Sequence, residues 1–185
     1  MPINLKKGQR EKIASPKFTI GLGWDTNVSS TGADFDLDAS VFLLGENGKL
    51  VDDQHLIFYN NLKDPSGGVV HTGDNLTGEG EGDDEQIRVD VGQVGGQVQE
   101  MRVIITIHDA EERKQNFGQV RNSFVRIVDD NTGEEILMYE LDEDFSVETA
   151  VEFGRIYKRN GEWKFEAVGT GAQGGLQHYV DRFYS

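Results

Sequence analysis

Apolar and polar residues alternate in register along most of this chain, and that period of two predicts β-strands. Phe18-Thr19-Ile20-Gly21-Leu22 alternates, and over Phe35–Leu43 the residues Phe35, Leu37, Ala39, Val41 and Leu43 fall on one face. Glu46-Asn47-Gly48-Lys49 predicts a hairpin turn into Leu50 and Val51, and His55–Tyr59 reads as a further apolar strand. Val69-Val70 is another, and Ile87, Val89 and Val91 alternate with Arg88 and Asp90. Met101, Val103, Ile105 and Ile107 predict one of the strongest strands, placed centrally. Phe124–Val128 and Ile136–Leu141 flank the turn sequence Asp129-Asp130-Asn131-Thr132-Gly133. Ala150–Lys158 and Trp163–Val168 flank Arg159-Asn160-Gly161, whose Asn-Gly pair suits the positive φ of a type I′ turn.

Helical periodicity is confined to Ala110–Gln115, about one turn, and Leu176–Phe183 near the end. Gly169–Gly175 reads as a loop that precedes a docked tail. About ten strands with turn punctuation predict an all-β fold, a β-sandwich of two mainly antiparallel sheets with a few short helical turns. The chain has 185 residues and no Pro/Gly/Ser linker, so one domain spanning residues 1–185 is expected.

Composition narrows the chemistry. The formal net charge is −15, which disfavours nucleic acid as a partner, because phosphate binding needs clustered Lys and Arg. With no cysteine, disulfides, thiolate metal sites and cysteine nucleophiles are excluded. The start of the chain has no apolar signal region and no run approaches a membrane span, so a cytoplasmic protein is expected. The four histidines are scattered, no Gly-x-Ser-x-Gly elbow is present, and the Gly-rich stretch lacks the lysine of a phosphate loop. Lys6, Lys7, Arg10 and Lys12 read as the solubilising charges of an edge strand.

Chemistry concentrates in Gly73–Glu85. From Asp74 onward this stretch holds six carboxylates (Asp74, Glu79, Glu81, Asp83, Asp84, Glu85) and Asn75, with no basic residue. Carboxylates, an amide oxygen and carbonyls exposed by glycine turns are the donor set of a hard cation such as Ca²⁺. An EF-hand fits poorly, since Leu76 and Gly78 stand at its third and fifth positions and Glu79 where glycine is required. The flanking strands make this instead a loop between β-strands. A solvated acidic rim is the plain alternative, but two further clusters favour a site. Asp36 and Asp38 share the non-core face of one strand, and Asp25 lies shortly before them in Trp24-Asp25-Thr26-Asn27. If the three segments meet at one end of the sandwich, they supply ligands for one or two ions.

Gly21-Leu22-Gly23-Trp24-Asp25, Phe35–Ser40 and the acidic block Gly73–Glu85 resemble the tellurium-resistance TerD family, as do Ile107–Ala110 and Asn116–Val120. The resemblance runs from about Ile3 to Phe183. It implies a calcium-binding β-sandwich, not an enzyme, that acts in bacterial stress tolerance, including tellurite, phage and colicin resistance. It implies two Ca²⁺ ions as cofactors and other tellurium-resistance proteins as partners, in a complex at the inner face of the membrane. Carried over by position, the metal-site residues are Asp25, Asp36, Asp38, Asp74, Asn75, Glu81, Asp83, Asp84 and Glu85. The alternatives from other classes are a metal-dependent hydrolase using Asp or Glu ligands and a purely structural assembly protein. The hydrolase needs a cationic substrate clamp, for which the sequence shows no pairing.

Overall fold

A computed structural model describes residues 3–24, 37–58, 61–72, 85–107, 123–141 and 149–184. Among these, twelve strands stack as two sheets. One sheet has the order β1 (Ile3–Leu5), β10 (Glu135–Glu140), β9 (Phe124–Asp129), β3 (Lys17–Gly23), β7 (Glu85–Asp90), β6 (Val69–His71). The other runs β2 (Arg10–Lys12), β12 (Glu162–Ala172), β11 (Ala150–Arg159), β8 (Glu100–Ile107), β4 (Leu37–Leu44), β5 (Leu56–Ile57). Every pairing is antiparallel except β1 with β10. The sandwich is the predicted architecture, and β8 is interior to its sheet, between β11 and β4.

The alternation read from the sequence becomes the inter-sheet core. Phe18, Ile20 and Leu22 from β3 meet Ala39, Val41 and Leu43 from β4 and Met101, Val103 and Ile105 from β8, all buried. The hairpin turns form as their residues dictate. Asn160 has φ of 53° and Gly161 of 78°, the left-handed geometry of the Asn-Gly turn. In the β4 hairpin, Gly45 N–H donates to the Lys49 carbonyl at 2.8 Å. Strand β2 is an edge, and its basic residues pair with the neighbouring strand: Arg10 with Glu166 at 3.3 Å and Lys12 with Glu162 at 3.0 Å.

Two expectations are corrected. The segment expected as a loop from Gly169 is strand as far as Ala172, because Ala150, Val151 and Glu152 of β11 pair with Ala172, Gly171 and Thr170. Backbone pairing overrides the Gly-rich composition there. The strand expected from His55 begins one residue later, since Asp53–His55 form a 3₁₀ turn whose N-cap Asp52 accepts from Gln54 N–H. The helical turn expected at Ala110–Gln115 lies outside the described residues.

The helix α1 (Gly175–Tyr184) lies on the outer face of the second sheet. Leu176, Tyr179, Val180 and Phe183 follow the i, i+3, i+4, i+7 spacing of an apolar stripe. Tyr179 and Phe183 are buried against Phe42, Leu44, Leu56, Ile104 and Ala150. The even-numbered residues of β4 thus face a second, smaller apolar layer rather than water.

Candidate functional site

Four segments outside the described residues are flanked by described residues that lie at one end of the sandwich. Segment 25–36 joins β3 to β4, 73–84 precedes β7, 108–122 joins β8 to β9, and 142–148 precedes β11. Their described anchors are mutual neighbours: Leu22 pairs with Glu85, Gly23 with Phe124, Leu37 with Ile107, Phe124 with Glu140, and Thr106 with Ala150. A hydrogen bond between the sheets, from Ala39 N–H to Glu85 Oε2 at 2.6 Å, puts the anchors of both sheets at the same end. The four connections hold 15 of the 33 acidic residues and 3 of the 18 basic ones, which is −12 of the net −15. So uneven a distribution makes this end strongly attractive to cations.

Of the predicted metal-site residues, Asp38 and Glu85 are described; Asp25, Asp36, Asp74, Asn75, Glu81, Asp83 and Asp84 lie outside the described residues. The two described acids occupy opposite sides of β4. Asp38 has the parity of Ser40 and Phe42, which places it on the outer face predicted for it, yet it is buried there. Glu85 shares the inward face of β7 with Ile87 and Val89 and is buried between the sheets. Nε2 of His71, buried on the neighbouring strand, is 3.9 Å from Glu85 Oε2. Asp38 and Glu85 thus lie on different faces of β4. Among the described residues, no three His, Asp or Glu side chains gather as a metal-binding group.

The outer face of the second sheet carries a different electrostatic feature. Glu152, 1% exposed at its side chain, accepts from Arg102 Nη1 at 2.6 Å and lies 3.7 Å from Arg182 of α1. Arg102 Nε is 2.7 Å from Glu100, which also receives Arg155 Nη1 at 3.0 Å. Arg155 in turn donates to Glu166, the partner of Arg10. Acids and bases alternate across four strands and the helix, so the charges satisfy one another. Burial raises the Glu166 pKa, but the Arg155 guanidinium, aided by Arg10, holds it below the ordinary glutamate value. Burial, with the Glu152 charge second, pushes the Tyr179 phenol up to about 12.

Helix α1 bridges the two ends of this face. Its first residue, Gly175, donates its N–H to Thr149 Oγ1 at 3.1 Å, beside the connection 142–148. At its other end the Phe183 carbonyl accepts Leu50 N–H at 3.0 Å, and Lys49 Nζ bonds the Arg182 carbonyl at 3.1 Å.

Sequence reasoning missed the acids of two connections: Asp109, Glu111 and Glu112 in one, and Asp142, Glu143, Asp144 and Glu148 in the other. The signal was present in Asp142-Glu143-Asp144, which follows a predicted strand. Recognising it required knowing that β10 ends beside Phe124 of β9, which pairs in turn with Gly23 of β3.

A family model described as the TerD domain matches residues 1–183. The chain is 50% identical over 181 residues to "Tellurium resistance protein TerD" of Serratia marcescens, covering 95% of this chain and 94% of that one. It is 54% identical over 181 residues to "General stress protein 16U" of Bacillus subtilis (strain 168), with the same coverage. Among solved structures it is similar to a homologue of the telluride resistance protein from Streptomyces coelicolor A3(2), with a TM-score of 0.70 over 89% of this chain and 94% of that one. At 18% identity that likeness shows the fold alone.

Proposed function

The chain belongs to the TerD family of tellurium-resistance and stress-response proteins, and we propose that it is a non-enzymatic, calcium-binding member of it. The observation that carries this reading is that the described anchors of four acid-rich connections lie together at one end of the sandwich. Like charges held so close raise one another's pKa and push the connections apart unless a cation intervenes. Asp25, Asp36, Asp38, Asp74, Asn75, Glu81, Asp83 and Asp84 offer fifteen side-chain oxygens, two from each of seven carboxylates and one from the amide, more than the six to eight of a single ion, so two Ca²⁺ ions are proposed.

Calcium uptake then orders the acidic end into a surface that a partner reads, with other tellurium-resistance proteins the proposed partners. The relatives' names speak of resistance and stress rather than of a reaction. A cysteine-free chain offers no thiol to reduce tellurite, which favours an indirect role in tolerance. Among the described residues no helix is long and apolar enough to cross a membrane. The proposed location is the cytoplasm, peripheral to the inner face of the membrane.

Thermal melting of chelator-treated protein tests the reading. Free Ca²⁺ at a hundred times its Kd stabilises the fold by about 2.7 kcal/mol per site. That raises the Tm by about 5–11 °C at this chain length. Mg²⁺, which demands rigid octahedral geometry, has a much smaller effect. A melting curve that calcium leaves unmoved contradicts the proposal.

A further inference from the structure

Glu85 stands between the described anchors of two acid-rich connections, paired with Leu22 of β3 and bonded to Ala39 of β4, and its surroundings are unlike those of a ligand in an open loop. Its side chain is 1% exposed and on the core side of β7. Its Oε2 already accepts the Ala39 N–H at 2.6 Å, a donor that competes with any cation for that oxygen. Strand β5 pairs with β4 only opposite Val41 and Phe42, so Ala39 lies in a stretch that β5 leaves uncovered. There a side chain from the facing sheet takes the place of a strand partner. Connection 25–36 feeds directly into β4, and connection 73–84 runs from just after His71 of β6 to Glu85 itself.

We propose that Glu85 is a positioning residue and not a calcium ligand. Its bond to Ala39 ties the two sheets together and fixes the spacing between connections 25–36 and 73–84, on which the ligand acids are carried. The inference rests on the calcium reading for its consequence, and the bond from Ala39 to Glu85 is tested separately from it. Substituting alanine leaves the Ala39 amide without its buried acceptor, whereas glutamine keeps an oxygen at the same place.

Three variants separate positioning from ligation: Glu85→Ala, Glu85→Gln, and Asp83→Ala as a loop-acid comparator. In chelator, E85A is expected to melt about 5–10 °C below the parent, and E85Q within about 3 °C of it. The Ala39 amide is protected from hydrogen exchange in the parent and in E85Q, and exchanges rapidly in E85A. In calcium titrations E85Q keeps the parent stoichiometry and an affinity within about threefold. E85A loses about tenfold through misplaced connections, and D83A loses affinity with its chelator-state melting unchanged.

Loss of a bound ion, or of more than about tenfold in affinity, in an E85Q whose chelator-state melting is unchanged overturns the proposal and makes Glu85 a ligand. Parent-like melting and Ala39 protection in E85A overturn it as well. If E85A does not fold, Ala39 exchange in E85Q decides. A parent that takes up no calcium defeats the metal reading alone, and the melting and exchange results still judge the clamp.

Discussion

Replacing Arg102 by Met isolates the contribution of the buried charge network beneath α1. Glu152 is 1% exposed and has two guanidinium neighbours, Arg102 at 2.6 Å and Arg182 at 3.7 Å. Arg182 is about half exposed, so its attraction is screened by solvent and the closer, more buried Arg102 carries most of the compensation. Breaking a buried pair costs about 3–5 kcal/mol, because the remaining charge is stranded. With Arg182 left in place the lower end applies, about 3 kcal/mol, or a Tm drop of about 6–12 °C. Urea denaturation of the parent, Arg102→Met, Glu152→Leu and the double variant gives the coupling directly. The double variant is expected to recover to within about 1 kcal/mol of the parent, since it removes both charges and extends the apolar layer around Ile104 and Tyr179. An Arg102→Met variant that loses less than about 1 kcal/mol refutes the reasoning, because the burial of Glu152 would then be compensated by something other than Arg102.

Other consequences follow from the same face and from the core. Tyr179 has its phenol pushed up to about 12, so in an ultraviolet titration one tyrosine should lag the others and disappear in Tyr179→Phe. In the unfolded chain that phenol ionises first, so its stabilising contribution is complete below pH ~10 and is lost as pH rises toward 12. Glu166 has the opposite sign. Its depressed pKa gives stability above the ordinary glutamate range that disappears as pH falls through the folded value, and Glu166→Gln should flatten that acid limb in pH-dependent melts. Gly154 sits at the β11 irregularity, where a Cβ would clash with Cζ of the Phe165 ring and lie 2.7 Å from its Cε2 and 2.9 Å from the Glu166 carbonyl. Gly154→Ala is therefore expected to cost about 1–3 kcal/mol in denaturant unfolding.

The strands were legible because burial on one or both faces writes a period of two that local residues carry by themselves. Ile20, Val41, Val103 and Ile127 all stand in the core where alternation puts them. What local pattern could not carry was pairing at a distance. Gly169–Ala172 looks like a loop until β11 supplies its partners. Asp38 looks solvent-facing, yet it is buried, on a sheet face that α1 covers farther along at Phe42 and Leu44. Glu85 reads as the last acid of a charged loop, and only the facing sheet shows that its Oε2 accepts the Ala39 N–H. For the site, the acids of 25–36 and 73–84 were visible as clusters. That their anchors lie beside those of 108–122 and 142–148 depends on sheet order, which no single segment encodes.

Calorimetric titration of chelator-treated protein with Ca²⁺ tests the central claim most directly, because it reads stoichiometry and affinity together. The account predicts saturable binding of two ions that falls away when Asp83 and Asp84 are replaced by alanine. Absence of saturable calcium binding by the folded protein contradicts it.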